Sequence, residues 1–233
     1  MVDSRRSTPP VTIVPFRRSH GREVARLHAA ALPHGFLSRL GPGFLARLYR
    51  EIARADRSGV WVAQDSDQRV LGFIAGSADL PRCYRQVLGR AWLPLGLRLL
   101  PSLWRPGVLT RVLQTLAYPF RKGADSGDED PEVARVRRQV KAELLSIAVS
   151  PAARGMGVGR RLVATLEEHL LAWGHRGPYR VVTDAADPRS NAFYGSLGFR
   201  LVGTFRHHEH TMSLYVKSIG GEDGMRAAGS AEP

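Results

Sequence analysis

Residues 141–173 constrain the fold more than any other part of the chain. They combine a short apolar run at 144–149, a glycine-rich segment and a long amphipathic stretch. The apolar run has the length of a buried strand, and Pro151 ends it because proline has no N–H for the sheet. Beyond the glycines, one valine and three leucines at successive i+4 positions predict a helix with one apolar face. A strand, a glycine-rich turn and a helix start can together bind an anion through free backbone N–H groups.

The glycine spacing distinguishes between known anion-binding turns. No Gly-Lys-Ser/Thr follows, as a Walker loop requires, and the acidic residue of a dinucleotide fingerprint is not in place. The turn Arg154, Gly157, Gly159 after a strand ending in Ile-Ala-Val-x-Pro resembles the GNAT superfamily of N-acetyltransferases, whose turn holds the pyrophosphate of acetyl-CoA. A glycine-rich turn without a ligand is the alternative. Close approach of a ligand would explain three glycines that each cost a helix about 0.5–1 kcal/mol.

The resemblance implies a set of residues that bind acetyl-CoA. They lie at the end of the strand, in the turn and at the helix start, with one further asparagine downstream. The set is Ile147, Ala148, Val149, Arg154, Gly155, Met156, Gly157, Val158, Gly159, Arg160 and Asn191.

A second segment, 187–199, resembles the other GNAT signature. In the family an asparagine and a tyrosine on a short helix precede a Gly-Phe pair, and here Tyr194 precedes Gly198 and Phe199 in that register. Asp187 stands where the usual asparagine would be, whereas Asn191 occupies the position of a second asparagine found in some members. The resemblance makes Tyr194 the candidate general acid for the leaving thiolate.

Glu143 is the candidate general base at the start of the same strand. Acetyl transfer needs a neutral amine, and an alkylamine with a pKa near 10.4 is only about 0.1% neutral around pH 7. Glu143 lies eleven residues before Arg154, the offset at which some family members carry a catalytic glutamate. Strand alternation predicts that it shares an apolar face with Leu145, Ile147 and Val149, which would raise its pKa. An exposed glutamate without a role is the alternative.

The N-terminal 75 residues match the GNAT order of strand, helix, helix, strand, strand. The predicted elements are a strand at 11–16, a helix at 21–32 with Val24, Leu27 and Ala31 on one face, a helical stretch at 36–55 interrupted near 41–43, and a hairpin of strands 60–63 and 70–75. In the family the first two helices form one wall of the acceptor site. His34, Phe36 and Ser38, with Asp184 after the fifth strand, are therefore candidate substrate contacts. The alternative is that His34 is an ordinary loop residue and Phe36 a core residue, without contact to a substrate.

Residues 80–140 form an insertion relative to the minimal family pattern. Residues 80–124 contain eight basic residues and no acidic one, with interleaved leucines and with prolines at 94, 101 and 106 that divide the stretch into short helices. The pattern predicts an inserted helical hairpin. It could pack on the domain, cover the acceptor groove, or lie on an anionic surface. The acidic run 125–132 is predicted to be a mobile loop.

The remaining features set bounds on class and environment. The net charge of +13 favours anionic partners. A single cysteine, Cys83, excludes an internal disulfide and favours a reducing compartment, hence a cytoplasmic location. No apolar stretch is long enough to span a membrane. His207, His208 and His210 lack metal-ligand spacing, so no metal site is predicted.

The predicted architecture is an α/β GNAT-like fold, a mixed sheet of about seven strands flanked by helices. One domain occupies 11–218, between a flexible N-terminus at 1–10 and a disordered tail at 219–233. The predicted function is the acetyl-CoA-dependent transfer of an acetyl group to a primary amine of an unidentified acceptor, by a monomer or a homodimer. A non-catalytic acyl-CoA-binding regulator and a basic protein that binds nucleic acid or a membrane surface are the alternatives, although the chain lacks the aromatic platforms of an RNA-binding sheet.

Overall fold

The computed structural model describes residues 11–32, 36–90, 130–207 and 210–221. Its centre is a seven-stranded mixed sheet, as the sequence predicted, with strand order β1-β2-β3-β4-β5-β7-β6. Only β4 and β5 pair in parallel, whereas all other neighbours are antiparallel. The strands are β1 (Thr12–Pro15), β2 (Ser58–Gln64), β3 (Val70–Ser77), β4 (Glu143–Val149), β5 (Gly177–Asp184), β6 (Arg200–His207) and β7 (His210–Ile219).

Seven α-helices are present in the described part of the chain. They are α1 (Gly21–Ala31), α2 (Phe36–Arg39), α3 (Pro42–Ile52), α4 (80–90), α5 (Pro131–Gln139), α6 (Val158–Ala172) and α7 (Pro188–Ser196). The predicted helix at 36–55 is divided into α2 and α3, because Gly41 takes a positive φ of 89° before Pro42 starts the second helix.

Two hydrophobic clusters cover opposite faces of the sheet. Alternating residues of β2 and β3 separate them: Trp61 and Ile74 face α6, whereas Val62 and Phe73 face α1 and α3. The α6 stripe of Val158, Leu162, Val163, Leu166 and Leu170 is buried, which confirms the prediction made from its periodicity.

The buried face of α1 differs from the predicted one. The sequence analysis placed Val24, Leu27 and Ala31 inside, but Ala31 is exposed and Leu27 only half-buried. The helix instead buries Gly21, Val24, Ala25 and His28. These residues follow the i, i+3, i+4, i+7 pattern of a helix face, so the inward position of a histidine concealed the correct stripe.

The predicted insertion is described only at its two ends. Helix α4 is held by Arg82, whose guanidinium is 2.8 Å from the Asp56 carboxylate, and by Arg90, which donates to the Arg54 carbonyl. At the other end, Val133 of α5 packs against Phe205 and Leu214. Residues 131–140 therefore pack against β6 and β7 at this end of the predicted insertion.

The rest of the predicted insertion, residues 91–129, lies outside the described residues, and with it the segment predicted to cover the acceptor groove or to lie on an anionic surface. Residues 125–129 of the acidic run 125–132 are also outside the described residues. Its last residues, Asp130 to Glu132, form the capped start of α5, where the Asp130 side chain accepts from the Glu132 N–H. For these three residues the predicted mobile loop is wrong.

The predicted C-terminal boundary is displaced by the end of β7. Ile219 is the last residue of that strand and is buried, whereas the analysis assigned it to a disordered tail. The other predicted terminal segments, 1–10 and 222–233, lie outside the described residues. Among the described helices, none has the length and apolarity needed to cross a membrane.

Candidate active site

The turn between β4 and α6 forms at the predicted position. Gly155 and Gly157 have φ values of 77° and 74°, a left-handed conformation that costs other L-residues about 1–2 kcal/mol. Gly157 is the N-cap of α6, and no side chain caps that helix start in the described structure. The first intrahelical bond is donated by Arg161 to the Gly157 carbonyl. The N–H groups of the first turn therefore remain available, as an anion site requires.

Gly159 has a different reason for being glycine. A Cβ at this position would lie 3.0 Å from Cε2 of Phe193, a tight contact that would require the Phe193 ring to shift by a few tenths of an ångström. Approach of a ligand was expected to explain all three glycines. The structure explains Gly159 by its contact with α7, and Gly155 and Gly157 by their backbone conformation.

The charges around the turn are positive. Arg154 and Arg160 are exposed, and no acidic residue occupies the first turn of α6. Arg160 also donates to the Ser196 carbonyl at 3.4 Å, which links α6 to the end of α7. Val158 is buried, so only its backbone faces the turn, and Met156 packs on the α6 cluster.

Beside this turn, β4 and β5 separate. Only two register pairs join them, Glu143 with Arg180 and Leu144 with Val181. Beyond these pairs β4 continues through 145–149 and β5 through 182–184, and no further pair forms between these two described strands. The two strands therefore splay apart beyond these pairs and leave a wedge open beside the helix start.

A β-bulge in β4 reverses the expected side-chain alternation. Ala75 pairs with Ser146 and Gly76 with Leu144, so Leu145 is the extra residue. As a result Ile147 and Val149 pack on the α6 side, whereas Leu145 packs on the α1 and α3 side. Such bulges bend a strand and redirect its side chains.

The bulge corrects the predicted environment of Glu143. Glu143 lines the same cavity as Leu145 and Ser146 on the α1 and α3 side, so it shares a face with Leu145 but not with Ile147 or Val149. Ala148 also packs on that side, away from the other predicted cofactor residues of β4.

Glu143 is paired with a buried cation rather than surrounded by apolar groups. Its Oε2 accepts from Nε of Arg180 at 2.7 Å, and the two side chains are 13% and 8% exposed. Arg180 also donates through Nη1 to the Arg137 carbonyl on α5. The other carboxylate oxygen, Oε1, has no partner among the described residues.

Tyr194 lies on the α6 side of the sheet. Its ring contacts Phe193, Phe199 and Tyr215, and its hydroxyl has no hydrogen-bond partner in the described part of the chain. Burial raises the pKa of this phenol, and the nearby Asp187 carboxylate adds to the shift. A protonated hydroxyl without a partner suits the predicted role of general acid.

Asn191 and Asp187 hold the loop that positions Tyr194. The Asn191 amide donates to the carbonyls of Asp184, Ala185 and Asp187, and its oxygen accepts from the Tyr215 hydroxyl at 2.9 Å. Its side chain is occupied internally, so its predicted contact with the cofactor has no geometric support. Asp187 caps α7 by accepting from the N–H groups of residues 189 and 190.

The predicted acceptor contacts are only partly described. His34 lies outside the described residues, and Phe36 is described only as the first residue of α2. The Ser38 hydroxyl donates to the Leu32 carbonyl at 2.6 Å. Asp184, at the end of β5, accepts from the Ala186 N–H and lies 3.6 Å from Nδ1 of His210. No group of three His, Cys, Asp or Glu able to hold a metal occurs within the ranges that the structure describes.

The sequence analysis missed a buried polar cluster. Nδ1 of His28 lies 2.6 Å from the Tyr49 hydroxyl and 3.5 Å from Oγ of Ser146. Burial lowers the pKa of His28 to about 4 and raises that of Tyr49, so both groups are neutral near pH 7. The i, i+3, i+4, i+7 spacing from Gly21 is the signal that could have placed His28 inside.

Part of the chain matches a known protein family. A model described as the acetyltransferase (GNAT) family matches residues 123–199, about a third of the chain. Among curated proteins, no sequence matches this chain.

Several solved structures share the fold. A GNAT superfamily phosphinothricin acetyltransferase from Sinorhizobium meliloti, in complex with AcCoA, is 19% identical with a TM-score of 0.55, covering 90% of this chain and 89% of that one. A putative acetyltransferase from Salmonella typhimurium with its cofactor acetyl-CoA is 14% identical with a TM-score of 0.55, covering 91% and 96%. One from Acinetobacter baylyi is 13% identical with a TM-score of 0.57, covering 91% and 94%.

At these identities the structural likeness shows the fold, and the family match adds the sequence evidence over the β4–α6 turn and α7. The two agree on the part of the chain where the open helix start, the strand wedge and Tyr194 lie. Residues 123–199 of this protein therefore match the GNAT acetyltransferase family, and the chain shares the fold of these solved acetyltransferases.

Proposed function

We propose that this protein transfers the acetyl group of acetyl-CoA to a primary amine. The observation that carries the proposal is the uncapped start of α6, behind two glycines of positive φ and beside the wedge between β4 and β5. A helix start binds phosphate oxygens through its free N–H groups and its dipole. An open strand edge can accept an extended amide-containing arm through backbone hydrogen bonds.

The residues around the turn fit the donor. The backbone N–H groups of Val158, Gly159 and Arg160 would hold the pyrophosphate, and the exposed guanidinium of Arg154 would add positive charge. Ile147 and Val149 would border the arm on the α6 side of β4. Bound acetyl-CoA supplies an activated thioester carbonyl, and the other requirements of the reaction fall on the chain.

The reaction forms a C–N bond and breaks the C–S bond of the thioester. The amine nitrogen loses a proton to solvent through the Glu143 carboxylate, and the departing thiolate gains one. Tyr194 is the proposed donor of that second proton, because its hydroxyl is protonated and unpaired among the described groups. Much of the rate would come from holding two reactants in position, an effect worth up to about 7–11 kcal/mol in well-oriented systems.

Glu143 is proposed to receive the amine. Its pairing with Arg180 makes it a carboxylate fixed in place, with Oε1 left to accept from an ammonium or amine N–H. The bulge directs it to the face opposite Ile147 and Val149. Donor and acceptor would therefore approach β4 from opposite sides and meet at the wedge.

Two measurements test the proposal. Titration calorimetry of the protein with CoA should show one site. Release of free thiol from acetyl-CoA should accelerate when primary amines are added, and it should not accelerate with the corresponding tertiary amines, which cannot form an amide. Absence of CoA binding by a folded protein would contradict the proposal.

A further inference from the structure

A region on the α1 and α3 side of the sheet has no role in the steps described so far, apart from that of Glu143, which lies in its wall. It is a cavity of about 110 Å³ beneath the β4 bulge, bordered by α1, α2, α3, α4 and β4. An apolar cavity of roughly 150 Å³ can hold a benzene molecule. The cavity therefore has room for a short alkyl chain or part of a small ring.

The walls of the cavity are mainly apolar. Seven of its twelve lining side chains are Leu, Ile, Val or Phe, and the helices α3 and α4 supply five of these seven. A polar acceptor such as an amino sugar would leave hydroxyl groups unpaired against these walls, and burying an unpaired polar group is unfavourable. The walls favour an occupant with an apolar body.

One formally charged side chain lines the cavity, the carboxylate of Glu143. Arg180 pairs with Oε2 of this carboxylate only, so Oε1 faces the apolar cavity as the acceptor for a charged donor. Oε1 has no partner among the described residues, so it can accept from an ammonium group. Charge-assisted hydrogen bonds of this kind are among the stronger ones in proteins.

The polar cluster of His28, Tyr49 and Ser146 lines the same cavity without adding charge. The Tyr49 hydroxyl and Oγ of Ser146 lie near Nδ1 of His28, whereas Nε2 has no partner among the described residues. Burial keeps the imidazole neutral near pH 7. The cavity thus offers one carboxylate and one neutral ring nitrogen among apolar walls.

The position of the cavity relative to the wedge connects it to the reaction. Pairing between β4 and β5 stops at Leu144 and Val181, and the next two residues of β4, Leu145 and Ser146, line the cavity. An amine bound to Glu143 would lie where the two strands begin to separate.

We propose that this cavity binds a primary amine with an apolar body, whose ammonium pairs with Glu143 and whose carbon chain lies between α3 and α4. The inference rests on the proposed function for the fate of the amine. Binding itself does not depend on acetyl-CoA, so the two proposals can fail separately.

The test uses the full chain and unbranched primary amines from ethylamine to hexylamine, with the alcohols of equal length as neutral probes. Affinities are measured by calorimetry without and with CoA. Each methylene buried in an apolar site should tighten binding roughly four-fold, until the cavity is full. Each amine should bind at least ten-fold more tightly than its alcohol.

Variants locate the site. Leu88→Trp, a half-buried lining position, should abolish the gain with chain length. Leu27→Trp, half-buried in the same cluster but outside the cavity lining, should keep it. Glu143→Gln should reduce the ratio of amine to alcohol affinity by ten-fold or more, whereas a merely structural effect would weaken both probes equally.

The outcomes separate the two proposals. Affinities that do not rise with chain length, or an amine-to-alcohol ratio unchanged by Glu143→Gln, would overturn the inference. Acetyl transfer to ethanolamine with greater efficiency than to hexylamine would also overturn it and leave the proposed function standing. Failure to bind acetyl-CoA, with the amine series behaving as expected, would overturn the proposed function alone.

Discussion

Helices α6 and α7 start at the same edge of the sheet, because each follows one of the two parallel strands, but their first turns are built differently. At α6 the N-cap is Gly157 in a left-handed conformation, without a capping side chain among the described residues. At α7 the N-cap is Asp187, whose carboxylate accepts from two N–H groups, and Pro188 follows in the first turn. One start leaves its backbone donors open, and the other closes them.

The difference separates two tasks: the start of α6 is left open for the proposed anion, whereas the start of α7 fixes the helix that carries Tyr194. Relative to an N-cap glycine, a capping side chain stabilises a helix by a few tenths of a kcal/mol, and α6 forgoes that gain. The proposed return is an anion bound in place of the cap. Helix α7 keeps its cap and thereby holds Tyr194 in a fixed position, so its contribution to the reaction is a side chain rather than its backbone. Each half of this comparison can be tested separately.

Removing the hydroxyl on the capped helix should give the largest effect. Tyr194→Phe keeps the ring contacts and deletes the proposed acid, so turnover should fall by about 10²- to 10⁴-fold while CoA affinity stays constant. Steady-state rates of thiol release, together with CoA calorimetry, measure the two effects. Tyr179→Phe is the matched control, since that buried hydroxyl donates to the Glu167 carboxylate at 2.5 Å and its loss should affect stability rather than turnover. Wild-type turnover in Tyr194→Phe would show that Tyr194 is not the general acid.

The second test places a charge on the open helix start. Gly157→Asp puts a carboxylate where the pyrophosphate would bind, whereas Gly157→Asn has nearly the same shape, tolerates a positive φ and carries no charge. Repulsion between charges a few ångströms apart near a protein surface amounts to a few kcal/mol. CoA should therefore bind about 100-fold more weakly to the Asp variant than to the Asn variant, and high salt should reduce the gap. Equal affinities in calorimetry would show that no anion binds at this helix start.

Sequence patterns predicted this half of the molecule well for a physical reason. Strand β4, the turn and α6 form a local unit whose period, glycines and apolar stripe lie within about thirty residues. Tyr194 could be located because it keeps a fixed register with Gly198 and Phe199. The contact of Gly159 with Phe193 could not be predicted, because Phe193 lies on another helix.

The acceptor side could not be predicted in the same way. The bulge at Leu145 depends on pairing with β3 and changes the face of every residue before it. Arg180, the partner of Glu143, lies 37 residues later in the chain. His28 meets Ser146 across 118 residues. Contacts of this kind have no periodic signature, and a buried histidine interrupts the apolar stripe that would mark its helix face.

A smaller effect should follow from opening the closed helix start. Asp187→Ala removes the acceptor for the N–H groups of residues 189 and 190, so stability should fall by about 1 kcal/mol. CoA affinity should be unchanged, because α6 holds the proposed site. Urea denaturation and CoA calorimetry on the same preparations measure both. A large loss of CoA affinity without loss of stability would mean that the capped helix also binds the ligand, and the comparison would fail.

The smallest effect is the dependence of the α7 cap on pH. Hydrogen bonds from Ser190, with the charge of Arg189, lower the pKa of Asp187 in the folded protein. The unfolded chain therefore binds more protons at this site as pH falls below about 4, the ordinary pKa of an aspartate. The stabilisation is fully present above that pH and is lost as pH falls through the lowered value.

Asp187→Asn keeps an acceptor at the N-cap but cannot titrate. Wild type should exceed this variant in stability at pH 7 by a few tenths of a kcal/mol, since the helix dipole favours a charged cap by about that amount. The advantage should shrink as pH falls below about 4 and disappear once Asp187 is protonated in the folded protein as well, because the protonated Asp187 and the asparagine are then both neutral caps. A difference that stays constant in urea titrations between pH 7 and pH 3 would show that the carboxylate charge does not stabilise α7, and the hydrogen bonds alone would then distinguish its start from that of α6.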